Sequence, residues 1–96
     1  MKAYELLAPE GAWTQRAQAR DERGCEVPFS SPFAVSYCLL GALYKCYPST
    51  RQVRDSLYDR LKNTPGFDWT KGFPGWNDAP DRTQAEVVAL LKELDI

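Results

Sequence analysis

Ser31-Pro32-Phe33-Ala34-Val35-Ser36-Tyr37-Cys38-Leu39-Leu40-Gly41-Ala42-Leu43-Tyr44-Lys45-Cys46 is the stretch on whose reading the fold turns. Ser31 offers an N-cap oxygen, and Pro32 suits the first helical position, where its missing N–H would be unpaired anyway. From Phe33 to Tyr44 the only polar side chain is Ser36. A helix that is apolar all round is a buried one. The run therefore predicts a central helix over 32–46, touched on several sides and ended by Tyr47-Pro48. Gly41 in its interior costs about 1 kcal/mol against Ala. The return expected for that cost is a close approach of another backbone.

On the N-terminal side, Ala3 to Pro9 fits a short helix with Tyr4, Leu6 and Leu7 on its apolar side, stopped by Pro9-Glu10-Gly11. The period then changes. Trp13, Gln15, Ala17 and Ala19 would share one strand face; Thr14, Arg16, Gln18 and Arg20 would share the other. Asp21-Glu22-Arg23-Gly24 reads as a turn with a left-handed Gly24, and Cys25-Glu26-Val27 as the return strand before Pro28. The competing reading continues helix through Thr14–Arg23, since Gln, Arg and Ala favour it.

On the C-terminal side, Ser49 and Gln52 have capping-box spacing. Val53, Leu57 and Leu61 then form a narrow apolar stripe with Tyr58 at its edge. Arg51, Arg54, Asp55, Asp59, Arg60 and Lys62 make a solvated face, with Arg51 and Asp55 placed to pair weakly. Residues 63–81 are a long connection carrying Phe67, Trp69, Phe73 and Trp76. Four aromatics do not suit a disordered segment, and the expectation is a lid pinned over the core. Thr83-Gln84-Ala85-Glu86 is a second capping box, opening a last helix whose buried face is Val87, Leu90, Leu91 and Leu94. The sum is an α+β, mainly α fold: about four helices around a buried central helix (32–46), with one small β-hairpin (about 13–27).

Ninety-six residues are read as a single domain, 1–96. The net charge of −1, with acids and bases interspersed, argues against nucleic acid, which asks for clustered Lys and Arg. No apolar run reaches the roughly 20 residues of a bilayer span. No signal-peptide pattern opens the chain, so a cytoplasmic protein without membrane attachment is expected. Three cysteines, Cys25, Cys38 and Cys46, fit reduced thiols better than a disulfide framework.

There is no histidine. That removes Ser–His–Asp and Cys–His nucleophiles, the commonest general base and His-containing metal sites. No Cys-x-x-Cys and no glycine-rich nucleotide loop is present. No metal, no cofactor and no catalytic residue is expected.

Trp13-Thr14-Gln15, Ala19-Arg20-Asp21 with Gly24, Cys38-Leu39-Leu40-Gly41-Ala42-Leu43, and Trp76-Asn77-Asp78 with Arg82-Thr83 and Glu86-Val87 together form a pattern. The pattern resembles an uncharacterised family of small bacterial and bacteriophage domains of unknown function. The resemblance runs from about Leu6 to Leu91, and its last motif is the most specific part. It implies one small domain and supplies no activity.

The candidate site is drawn from the hairpin and the C-terminal loop: Trp13, Arg20, Asp21, Trp76, Asn77, Asp78 and Arg82. If the two segments meet, Asp21–Arg82 or Arg20–Asp78 would pair. The plainer reading is a clasp that ties the loop down, because Asn and Asp commonly satisfy backbone N–H groups in turns. The functional reading is a pocket, lined by Trp13, Trp76, Asn77, Asp78 and Arg82, for a small polar ligand or peptide. A non-catalytic accessory or regulatory module that binds a protein partner is expected, in one form a bacteriophage-type inhibitor of a host defence protein. The alternative is a small hydrolase or small-polar-ligand-binding domain using the 76–82 loop. A deep pocket shared by Asp78 and Arg82 would favour the alternative; exposed aromatics would favour a protein partner.

Overall fold

The computed structural model describes residues 1–96. Its elements in chain order are α1 (Ala3–Leu7), β1 (Ala19–Arg20), β2 (Glu26–Val27), β3 (Ser36–Tyr37), α2 (Leu39–Cys46), α3 (Arg51–Leu61), α4 (Gly72–Asn77) and α5 (Gln84–Glu93). The class is α+β with helix dominant, as the residue pattern implies. The antiparallel sheet has three strands in the order β2-β1-β3, one more than a hairpin supplies.

The third strand comes out of the expected central helix. Helix begins at Leu39, not at Pro32. Ser36 and Tyr37 instead pair with Arg20 and Ala19 of β1. The Val35 amide donates to the Arg20 carbonyl at 2.8 Å and the Cys38 amide to the Gln18 carbonyl at 3.0 Å. The physical reason is the partner that β1 lacks in a lone hairpin. A two-stranded ribbon is marginal in water, and Val35-Ser36-Tyr37 lies within reach and suits extended backbone. The N-cap is accordingly Cys38, whose Sγ accepts from the Gly41 amide at 3.3 Å, and not Ser31. Phe33 and Val35, expected in the core, stand exposed.

α2 nonetheless occupies the centre, packing against α1, α4 and β3. Its Leu39, Ala42 and Leu43 are fully buried with Ala3 and Leu7 of α1, Leu57 of α3, and Val87 and Leu91 of α5. The close approach expected at Gly41 is present. A Cβ built there would lie 2.1 Å from the Gln18 carbonyl oxygen.

The hairpin is shorter than 13–27. Its ladder spans Ala19↔Val27 and Arg20↔Glu26. The turn follows the expected chemistry, with Gly24 at φ 80° and the Asp21 carboxylate accepting from the Arg23 and Cys25 amides at 2.9 and 3.0 Å. Residues 13–18 do not join that ladder. Trp13 bridges in parallel to Tyr37 on the outer side of β3. The competing helix over 14–23 is absent, and Arg16 at φ 64° interrupts it.

α3 starts after Thr50 without a side-chain cap, so the Ser49–Gln52 box does not form. Arg51 and Asp55 do not pair. The ion pairs of α3 are Lys62–Asp59 and Arg60–Glu93, both exposed, where such pairs add little. The long connection contains the short helix α4, and Phe67, Phe73 and Trp76 pack on the core as the lid reading requires. Trp69 does not. It packs at a tilt against Tyr58 with ring centroids 4.4 Å apart and stays half in solvent.

The Thr83 box closes as read from its spacing. Thr83 Oγ1 accepts from the Glu86 amide at 3.2 Å, and the Thr83 amide donates to Glu86 Oε1 at 3.1 Å. Thr83→Ala is expected to lower the unfolding free energy by about 1 kcal/mol, measured as a shift of the urea midpoint.

Candidate functional site

Asn77, the last residue of α4, is the hub of the region. It is 1% exposed and uses its whole carboxamide. Oδ1 accepts from the Trp13 indole at 2.7 Å and from the Leu39 amide at 3.1 Å. Nδ2 donates to the Thr14 carbonyl at 3.1 Å and to Asp78 Oδ1 at 3.0 Å. An amide side chain has two donor hydrogens and two principal acceptor directions, and all are filled. One side chain thus joins the 13–14 segment, the first turn of α2 and its own loop. Oδ1 also satisfies one of the orphan N–H groups that any helix start leaves, which helps α2 to begin at Leu39.

Asp78 extends the junction by accepting the Arg16 amide at 2.9 Å on the same oxygen that receives Asn77. Gln15, absent from the candidate residues, is a third tie. Its Nε2 donates to the Asn77 and Ala79 carbonyls, both at 2.9 Å. The signal for it was in the spacing: Trp13 and Gln15 lie two apart, and both side chains reach the 77–79 loop.

Trp76 and Arg82 form a separate arm. The Arg82 guanidinium carbon sits 3.9 Å from the centroid of the Trp76 ring. Nε donates to the Trp76 carbonyl at 2.9 Å, and the guanidinium pairs with Glu86 at 3.0 Å. A cation over an indole face is attracted by the ring quadrupole, so this arm pins the loop to the start of α5.

Arg20 and Asp21 do not reach the loop. Neither Asp21–Arg82 nor Arg20–Asp78 forms. Arg20 donates to Thr14 Oγ1 and to the Gly24 and Gln15 carbonyls at 2.9–3.0 Å, and Asp21 is spent within its own turn. Arg20 reaches the junction only at second hand, through Thr14 and Gln15, which themselves contact the 77–79 loop. Of the seven candidates, Trp13, Asn77 and Asp78 come together; Trp76 with Arg82, and Arg20 with Asp21, lie apart.

The three thiols are free. Burial pushes the Cys38 thiol up; the Gly41 and Leu40 amides pull the other way, and the Asp78 carboxylate adds to the rise. Burial likewise raises Cys46. A thiol raised in this way is a poor nucleophile at neutral pH. No group of three His, Cys, Asp or Glu side chains converges as a metal site would require. Asp78 and Arg82 face different depressions. Asp78 lines one of about 480 Å³ with Arg16, Cys38 and Tyr44, and Arg82 one of about 280 Å³ with Trp76 and Glu86.

The chain is a small α+β domain whose hairpin region and C-terminal loop are held together by the buried Asn77 carboxamide. It belongs to the family of unknown function DUF6197, whose model matches residues 1–94. No curated protein and no solved structure matches it.

Proposed function

We propose that the chain is a non-catalytic accessory or regulatory module that works in the cytoplasm by binding another protein. The observation that carries this reading is a contrast between two kinds of side chain. The polar groups of the 76–82 loop are largely consumed by internal bonds, while large apolar side chains stand in solvent: Phe33 is 73% exposed, and Trp69, packed at a tilt against Tyr58, is 49% exposed. Exposed aromatic clusters on a rigid frame are what protein partners bury as anchors. Phe67 meets Trp69 edge-on at 5.1 Å, so the three rings form one cluster. No helix is long and apolar enough to cross a membrane. A bacteriophage-type inhibitor of a host defence protein would act by such docking alone.

The test is affinity capture from host lysate with wild type, Trp69→Ser and Phe33→Ser. Both side chains are exposed, so both variants are expected to fold. One protein retained by the wild type and lost by Trp69→Ser supports the reading. Capture unchanged by both substitutions, or no protein captured while a metabolite travels with the purified chain, overturns it.

A further inference from the structure

The 480 Å³ depression beside the junction shares no lining residue with the Tyr58–Trp69 surface. We propose that it binds a small zwitterion of the free α-amino-acid class, its carboxylate on Arg16 and its ammonium on Asp78.

Arg16 is one of two non-glycine residues at positive φ, at 64°. That conformation is uncommon for a residue with a Cβ and persists where surrounding bonds hold it. Here the bond is the Arg16 amide to Asp78 Oδ1 at 2.9 Å. Asp78 therefore fixes the Arg16 backbone, yet the Arg16 guanidinium pairs with no carboxylate, Asp78 included. Both protein bonds to Asp78 fall on Oδ1, which leaves Oδ2 unclaimed. Arg16 and Asp78 thus border one depression without forming an ion pair.

The remaining walls suit a small ligand. Leu40, Ala17 and Pro74 are apolar, and Gln18, Cys38 and Tyr44 complete the lining. The Tyr44 ring is packed against Phe29 at 5.4 Å, so the phenol is held in place. A cavity of about 480 Å³ lies within the usual size of small-molecule sites, which combine apolar walls with a few convergent polar groups. A molecule with only a carboxylate would meet the Asp78 charge unpaired, and one with only an amine would meet Arg16. A free α-amino acid carries both charges on one carbon and satisfies both ends.

The experiment is an amide NMR titration of the whole chain with each of the twenty free amino acids up to about 10 mM, a range that detects weak sites. The methyl ester and N-acetyl form of any binder are run beside it. The expected result is saturable shifts confined to residues 16–18, 38–40, 44 and 78 for at least one amino acid, and a loss of about tenfold or more for each blocked analogue. Arg16→Gly removes the guanidinium at a backbone angle glycine prefers, so the variant folds. Asp78→Asn retains an oxygen for the Arg16 amide and removes the charge. Both are expected to weaken binding about tenfold or more. Shifts for none of the twenty, equal binding of either blocked analogue, or wild-type affinity in Arg16→Gly would overturn the assignment.

Discussion

Asn77→Ala is expected to lower the unfolding free energy by about 3–5 kcal/mol, the largest loss from any single polar side chain here. The truncation strips partners from the Trp13 indole, the Leu39 amide and the Thr14 carbonyl together. Each buried polar group left unmade costs about 1–3 kcal/mol, and water has little access at 1% exposure. A small domain has a total stability of about 5–15 kcal/mol, so the variant sits near the edge of folding. Urea denaturation followed by tryptophan fluorescence measures the loss. A midpoint within error of wild type would show that the hub is dispensable.

Asn77→Asp separates hydrogen bonding from volume, because it is nearly isosteric. It keeps two acceptors and loses the Thr14 donor. It also places a carboxylate in a buried site beside Asp78. Burial and the like charge raise the folded-state pKa of the new group above its unfolded value. The folded state then binds more protons than the unfolded state, so stability falls as pH rises through that window. The variant is expected to lie closest to wild type in acid and furthest from it at neutral pH.

Gly41→Ala is expected to cost about 2–4 kcal/mol, against the roughly 1 kcal/mol that alanine gains in a helix interior. The added Cβ would lie 2.1 Å from the Gln18 carbonyl oxygen and 3.0 Å from its carbon. These are backbone atoms with no rotamer to give. The same carbonyl accepts the Cys38 amide at 3.0 Å, and the next residue, Ala19, is fully buried in β1. Relief therefore requires α2 to move from the sheet, which strains the turn that starts the helix. Thermal and urea unfolding of the variant measure the cost. A stability equal to or above wild type would mean that the crossing yields easily.

Where sequence and structure agree, the signal was short-range. The Asp21–Gly24 turn, the Thr83–Glu86 box and the Val87-Leu90-Leu91 face rest on contacts within four residues, and such contacts are encoded by local spacing. Gly41 was also legible: a glycine in an apolar helix implies a neighbour that leaves no room for a Cβ. The start of α2 was not legible in the same way. Ser31-Pro32 is a sound helix start by local rules. It lost because 35–37 completes a sheet against residue pairs at 19–20, a gain that appears only when the chain folds back. The Ser49–Gln52 box failed as well, since α3 begins at Arg51, after Thr50.

The candidate site divides along the same line. The residues themselves set out a polar loop with an Asn-Asp pair, a Trp and an Arg, and the absence of histidine set aside whole classes of chemistry. Which groups meet was a tertiary matter. Trp13 and Asn77 are 64 residues apart in sequence, and nothing local tells that an indole rather than Arg20 will take the carboxamide. Composition, capping and apolar period determined the class and most of the helices, because those depend on neighbours along the chain. The third strand, the carboxamide hub and the cavity shared by Arg16 and Asp78 were decided only by the tertiary structure. Each depends on hydrogen bonds or packing between segments that the sequence places far apart.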